Sequence, residues 1–371
     1  MPITRSDQSI LGRWWWTVDH LTLGAIAILL IVGVLLIQAA SPPVAMRIGQ
    51  DGYYFVERHL FQLILGVIMM IGLSLLSPAQ IRIVALIIFV ISFALVLATH
   101  FWGIEIKGAK RWVHLPGLSI QPSEFLKPCF IILTARLFSR RLESQNFPGF
   151  WLGVALYIVT ASQLLLQPDM GMTILISIVW ATQFFLAGMP FFIALGFIGL
   201  GASGILAAYF FFPHFSSRID RFLNPDAGDN YQIQKSLEAF HSGGWLGVGP
   251  GEGQVKMAIP DAHADFIFAV AGEEFGLISC VVIVALFAFI ILRGFWRLRH
   301  ENNFFIFLAV AGLLTEFGLQ AAINMGSALH LLPTKGMTLP FISYGGSSLL
   351  ALSLSAGMLL SLTRKHYGQN T

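Results

Sequence analysis

Charge is scarce in this chain. Only 11% of its 371 residues are Asp, Glu, Lys or Arg, while 56% are apolar, and the mean hydropathy is +0.76. Soluble domains carry about 25% charged residues. A soluble core of this composition would lack the polar surface to cover it. An ordinary cytosolic enzyme, a disordered chain and a nucleic-acid binder are therefore excluded. Net charge is also small, +3, which gives no argument for a polyanionic partner. Cysteine is nearly absent: Cys129 and Cys280 both fall in apolar runs. Disulfides do not hold this fold, and cysteine usage says nothing about redox compartment.

What is abundant is long apolar stretches. A bilayer-crossing helix needs roughly 20 mostly apolar residues. Ten candidates stand at about Leu21–Ala40, Phe61–Ser77, Ile81–Trp102, Ser123–Phe138, Gly149–Gln167, Met170–Gly188, Phe191–Phe212, Phe266–Arg293, Phe304–Asn324 and Gly345–Thr363. The expected fold is an all-α polytopic membrane protein with ten transmembrane helices. Ala39, Ala40 and Ser41 could mimic a signal-peptide cleavage site. The apolar run before them is longer than the about 7–15 residues of a signal core, so it reads as a retained span.

Ten spans put both termini on one side. Lys and Arg number eleven in the segments that would share a side with the N-terminus, against ten opposite. Density decides: the first set holds short clusters such as Arg293, Arg297 and Arg299, and four of the second set lie in one long loop, where charge has little topological weight. The reading is N-in, C-in. Trp14, Trp15 and Trp16 before the first span resemble an interfacial belt. No internal repeat, low-complexity tract or linker divides the chain, so it reads as one membrane domain over 1–371. The large extracytoplasmic loop lies between spans seven and eight, about 213–265. Loops beyond about 12–15 residues are usually functional or disordered, and this one carries Phe222, Tyr231, Trp245 and several glycines.

Ionisable groups inside spans cost about 2.5–3.5 kcal/mol each at mid-membrane and need partners or a wet cavity. Glu124 and Lys127 are spaced to pair on one helix face. Glu273 and Glu274 lie within span eight. Glu316, Gln320 and Asn324 form a polar stripe on span nine that must face the bundle interior. Asp169 sits in the turn between spans five and six. Each of these could be polar glue between helices or part of a site.

Two outer loops carry sharper patterns. Gly103–Pro122 holds Lys107, Lys110 and Arg111 against one acid, Glu105. Away from the anionic inner leaflet, such a cluster suits a phosphate group, unless it is only a solvated charge run. The long loop ends with alternating glycines at 247, 249, 251 and 253, then Asp261, His263 and Asp265 directly before span eight. Their spacing is a weak metal signature. A carboxylate at a helix mouth stays ionised through the helix dipole, the state a general base needs. Asp265 could equally be a helix cap.

Seven segments in order carry a family resemblance: GAKRW (Gly108–Trp112), QPSEFLK (Gln121–Lys127), QPDMG (Gln167–Gly171), RFLNP (Arg221–Pro225), YQIQKSLEAF (Tyr231–Phe240), PDAHADFIFAVAGEEFGL (Pro260–Leu277) and LPTKGMTLPFISYGGSS (Leu332–Ser348). Over about residues 20–365 the chain resembles the SEDS family (shape, elongation, division and sporulation) of ten-helix bacterial peptidoglycan polymerases. The LPTKGMTLP stretch, with Lys335, is similar to the division-type branch.

The resemblance implies a glycosyltransferase that joins lipid II units and releases undecaprenyl diphosphate. It places the catalytic carboxylate at Asp265, within His263-Ala264-Asp265-Phe266. The chain departs from the usual pattern at Ala264, where a hydroxyl residue is common, and at Asp261, where Glu is common. His241 stands where a smaller residue is usual. Inverting transfer needs a base on the attacking hydroxyl and cations for the departing diphosphate. Candidates for the second role are Lys110, Arg111, Lys127, Arg218 and Arg221, and the other expected substrate-binding residues are Glu124, Asp169, His263, Lys335, Ser343 and Ser347. A divalent cation, Mg2+ or Mn2+, is compatible with diphosphate chemistry but not required. Implied partners are lipid II, a class B penicillin-binding protein as transpeptidase and other division-complex membrane proteins, with no nucleic acid. The chain lacks a Ser-x-x-Lys penicillin-binding signature. The implied location is the bacterial inner membrane at the septum. Two rivals are a lipid II flippase, favoured by the intramembrane polar groups, and a non-catalytic division scaffold.

Overall fold

The computed structural model describes residues 9–106, 109–115, 118–144, 146–188, 190–211, 216–217, 219–220, 222, 231–333 and 335–364. It is mostly helical. A short helix α1 (Ile10–Thr17) is followed by α2 (His20–Arg47), α3 (Tyr54–Ser74) and α4 (Pro78–Trp102). Three strands follow, β1 (Ile104–Ile106), β2 (Ala109–Leu115) and β3 (Leu118–Ile120). Then come α5 (Pro122–Glu143), α6 (Gly149–Leu166), α7 (Met170–Leu186) and α8 (Phe191–Phe211). After α9 (Tyr231–Gly243), a 3-10 turn at Val255–Ala258 leads to α10 (Ile267–Leu298), α11 (Phe304–Ala328) and α12 (Gly346–Leu362).

Each of the ten apolar stretches falls largely on one helix, because an unbroken apolar run can satisfy its backbone in lipid only by coiling. Among the described residues, α2, α3, α4, α6, α10 and α11 are long and apolar enough to cross a membrane by length and composition, and α7 and α12 are shorter apolar helices. Helix starts follow capping chemistry. Ser77 and Gln80 form a reciprocal capping box before Pro78 of α4. The Asp169 carboxylate accepts from Met172 N at 3.3 Å to start α7, and Asn303 caps α11.

The helix α11 is the centre of the bundle. Of its apolar window 67% is buried, against 22% for α3. It packs on α5, α7 and α10. One core joins α2, α10 and α12 through residues such as Leu29, Ile37, Phe287 and Leu360. A second joins α4, α5, α7 and α11 through Phe89, Phe130, Trp180 and Leu308. Outward-facing Ile31 and Leu35 of α2, Ile64 and Ile68 of α3, and Ile87 and Ile91 of α4 are exposed. That is an apolar belt that lipid, not water, would cover.

The all-α expectation needs one correction. The segment after α4 is a small antiparallel sheet in the order β1-β2-β3. Glu105 stands opposite Lys110, and His114 opposite Ser119. The run Trp112-Val113-His114-Leu115 has the aromatic and β-branched content a strand favours.

A second irregularity lies in α10, which breaks at Gly276 with φ 75°. The freed backbone groups are taken up by the preceding loop. Val248 N donates to Glu273 O at 2.9 Å, and Leu277 N donates to Gly244 O at 2.9 Å. No side chain fits at Gly276, because a Cβ there would strike the backbone of Trp245 and Gly247.

At the end of the bundle that carries the termini, Asp19 binds Arg293 of α10 through two contacts of 2.8 and 2.6 Å. Arg297 lies 3.3 Å away and also holds Thr363 O. Burial pushes the Asp19 carboxyl up, but Arg293, Thr22 and Arg297 outweigh it and hold it below the usual carboxylate range.

Candidate functional site

The candidate site lies at the opposite end of the bundle, where the segment before α10 meets the loop between α11 and α12. Asp265 is half-buried. Its backbone is fixed from several directions. Ala264 N and Asp265 N both donate to Asp261 O, and Asn324 Nδ2 donates to Asp265 O at 3.0 Å and to Met337 O at 2.6 Å. Ser343 donates to Ala264 O at 2.6 Å, and Tyr344 N donates to His263 O at 2.8 Å. The Asp265 carboxylate lies against Gly336, where φ is +66° and an added Cβ would stand 3.3 Å from Oδ2.

The neighbouring residue is Lys335, whose side chain lies along Gly171 at the start of α7. Burial pushes its ammonium down to about 8, opposed by the charge of Asp169; Lys127, Glu124 and Arg111 also act on it. Arg111, from β2, donates to Gln167 O at 3.1 Å and Pro168 O at 2.6 Å, and its Nε is 3.7 Å from Asp169. Glu124 and Lys127 pair at 2.8 Å on α5 as their spacing predicts. Lys127 continues to Gln320 at 2.9 Å and lies 4.0 Å from Glu316. Gln320 in turn donates to Thr338 O at 3.2 Å. The polar stripe of α11 thus faces inward and ties α5 to the loop that carries Lys335.

Asp265, Lys335, Asp169, Arg111, Glu124 and Lys127 are therefore gathered around one loop. The remaining expected residues are placed differently. Lys110 is exposed and stands opposite Glu105 on β1, and it is not among the charged groups that act on Lys335. His263 stacks at 4.4 Å on Phe55 and 5.1 Å from Tyr344, and burial pulls its pKa down to about 4. The Ser343 hydroxyl is engaged by Leu339 N and Ala264 O. Ser347 accepts from Gln121 N and donates to Ser119 O, fastening the sheet to α12. Both serines hold backbone. Arg218 and Arg221 lie outside the described residues.

The sequence reading did not pair Glu273 and Glu274 with anything. Glu273 accepts from Val255 N at 2.7 Å and Lys256 N at 2.8 Å, and Glu274 pairs with Lys256 Nζ. This clamp fixes the loop leading to Asp265. Lys256 shows no sequence sign of burial, so the pair was not legible. Nor were Gly171 and Gly336 as seats for charged side chains, although both lie within quoted motifs.

Among the described residues, no three His, Cys, Asp or Glu side chains gather to hold a metal ion. The acids here face Lys335, Lys127 and Arg111 instead. Among the described residues this donor set does not form a ready metal site.

The family model for the FtsW, RodA and SpoVE cell cycle proteins matches residues 19–368. The chain belongs to this family. A probable peptidoglycan glycosyltransferase FtsW of Caulobacter vibrioides is 43% identical over 365 residues, covering 98% of this chain and 94% of its own. The similarly named protein of Escherichia coli O157:H7 is 34% identical, over 96% of this chain and 87% of its own. Among solved structures, a chain of a peptidoglycan synthase complex that coordinates polymerization and crosslinking superposes with a TM-score of 0.78 at 26% identity, covering 93% of this chain and 97% of the other. The rod shape determining protein RodA of Thermus thermophilus shares the fold, with a TM-score of 0.69 at 24% identity over 94% and 97% of the two chains. The chain is thus an FtsW-like SEDS protein and a multi-pass membrane protein.

Proposed function

We propose that this FtsW-like chain is a peptidoglycan glycosyltransferase that polymerises lipid II in septal wall synthesis, with Asp265 as its base. One observation carries the reading: the Asp265 carboxylate rests on Gly336, one residue from Lys335, whose ammonium lies among Arg111, Asp169, Glu124 and Lys127. A proton acceptor thus stands beside a cationic cluster.

In this reading the Asp265 carboxylate takes the proton of the acceptor 4-hydroxyl. That oxygen attacks the anomeric carbon of the other sugar from the face opposite the diphosphate. The anomeric C–O bond breaks, and its electrons leave with undecaprenyl diphosphate. Lys335 and Arg111 compensate the charge that develops on the leaving oxygen. Lys127, held by Glu124 and Gln320, orients this cluster from below. Glu124 and Asp169 keep the ammonium groups from repelling one another.

The setting belongs to the same proposal. Ten helices cross the bacterial inner membrane, both termini are cytoplasmic, and the segment 213–265 with the Asp265 cluster faces outward. A class B penicillin-binding protein supplies the transpeptidase, in line with the synthase complex whose chain superposes on this one. The buried Glu124, Lys127 and Glu316 network is the one feature that favours a lipid II flippase.

The test is purified protein with its partner and labelled lipid II. Glycan polymer should form and should vanish in Asp265→Asn while the variant stays folded. Absence of polymer from the wild type, with lipid II crossing liposomes in both proteins, would replace the polymerase by a flippase.

A further inference from the structure

Beside the sheet, an open cavity of about 290 Å³ is lined by His100, Glu105, Lys110 and Gln167 with the apolar parts of Ala109, Leu166 and Pro168. None of the residues that surround Lys335 in the site described above lines it.

Three polar features of this cavity are of different kinds. Glu105 and Lys110 are cross-strand partners, and directly opposed residues present their side chains on one face. A negative and a positive group therefore stand side by side at the mouth. Behind them is Gln167, only 1% exposed. Its Nε2 donates to Thr99 Oγ1 and lies 3.5 Å from both Val96 O and Lys110 O. The Thr99 hydroxyl proton is already given to Val96 O at 2.7 Å, so these neighbours are acceptors and fix which end of the amide is nitrogen. The other end, Gln167 Oε1, is buried and has no hydrogen-bond partner. A buried acceptor left unpaired costs about 1–3 kcal/mol. Gln167 lines the cavity with this acceptor just behind its wall, so an incoming N–H pairs with it once the lining shifts.

The required ligand has an amide N–H for Gln167, a carboxylate for Lys110 and an ammonium for Glu105. A sugar meets none of the charged demands. Among the described lining residues there is also no Trp, Tyr or Phe on which a pyranose face could stack. A short zwitterionic peptide meets all three demands.

We propose that this cavity is a subsite for the stem peptide of the lipid-linked substrate, separate from the sugar and diphosphate site. The proposal rests on the polymerase reading for the identity of the peptide, not for the existence of the subsite. The turn Gln167-Pro168-Asp169 joins the two places. Gln167 lines the cavity, and two residues on Asp169 caps α7 and faces Arg111. A peptide held here would place its disaccharide toward the Lys335 cluster.

Two measurements test it. The first compares lipid II carrying its full pentapeptide with lipid II trimmed to the first alanine, using the full chain with its partner. The wild type should show a KM about tenfold lower for the full substrate, the size of one lost hydrogen bond. In Glu105→Gln and Gln167→Met that ratio should collapse toward one. A ratio near one in the wild type, or one unchanged in both variants, overturns the subsite.

The second measurement does not depend on catalysis. Soluble pentapeptide is added to the Asp265→Asn protein and followed by saturation-transfer NMR. Transfer should occur and should weaken when Glu105→Gln is added, an exposed change that leaves the buried amide in place. No transfer, or transfer indifferent to Glu105, overturns the proposal even if polymerisation is confirmed. Specific transfer together with no polymer from the wild type would keep the subsite and discard the polymerase.

Discussion

Lys335 and Gly171 occupy one another's space: a Cβ on Gly171 would coincide with the lysine side chain. The glycine is a seat for the ammonium, not a hinge. Gly171→Ala therefore displaces Lys335 from Asp169 and Arg111 without emptying any core. Polymerisation should fall at least about tenfold, equal to about 1.4 kcal/mol of lost stabilisation, while the thermal midpoint in detergent moves little. Gly24→Ala, where an added Cβ meets nothing within 4 Å, should leave the rate unchanged.

Lys335 also gives a pH signature. Burial lowers its pKa from 10.5 to about 8. Between those values the unfolded chain holds a proton that the folded chain has released, so stability rises with pH across that window and is reduced below it. Lys335→Met should then be more stable at pH 7, by about 1–2 kcal/mol after allowance for the partly exposed side chain. Activity runs the other way. The wild-type rate should fall as pH rises past about 8, and the variant should lack this alkaline limb at a much lower rate. A pH–rate series beside thermal unfolding reads both.

The Glu273 clamp should matter to the reaction without touching substrate. Glu273→Gln keeps the shape but loses charge-assisted bonds to Val255 N and Lys256 N. Stability should drop by about 2 kcal/mol. The polymerisation kcat should fall as the segment leading to Asp265 loosens, with KM for lipid II nearly unchanged. Equal loss in KM and kcat would mean that substrate meets this region directly.

Asp19 tests the other end of the bundle. Its carboxylate is 3% exposed and answers Arg293, Arg297 and Thr22. Asp19→Asn leaves the arginines without their acid and should cost about 3 kcal/mol. Because the folded pKa is depressed, the wild-type advantage is present above the ordinary value of 3.8 and fades as pH falls through the folded value. The activity of molecules that remain folded should be unaffected.

Much of this arrangement could be read from the chain alone, and the reasons are physical. Apolar length placed the helices because lipid permits few alternatives. The Glu124 and Lys127 pair was legible because both sit on one helix, three residues apart. Partners far apart in sequence were not. Nothing local joins Asp19 to Arg293, Lys256 to Glu274 or Gly171 to Lys335. The sheet was not legible because its strands, of 3, 7 and 3 residues, are short and interrupted by charged positions. Lys110 and Arg111 read as one basic cluster, yet Arg111 reaches the turn before α7 while Lys110 stays exposed opposite Glu105.

The break at Gly276 divides the longest helix into two bodies. The shorter one, with Glu273 and Glu274, is bound to the glycine-rich loop that leads to Asp265. The longer one runs to Arg293 and its anchor on Asp19. Swelling, thinning or tilting of the surrounding lipid would act on the longer body, with the break at Gly276 standing between it and Asp265. On the proposed role of Asp265, the polymerisation rate should therefore depend little on the thickness of the membrane in which the protein sits.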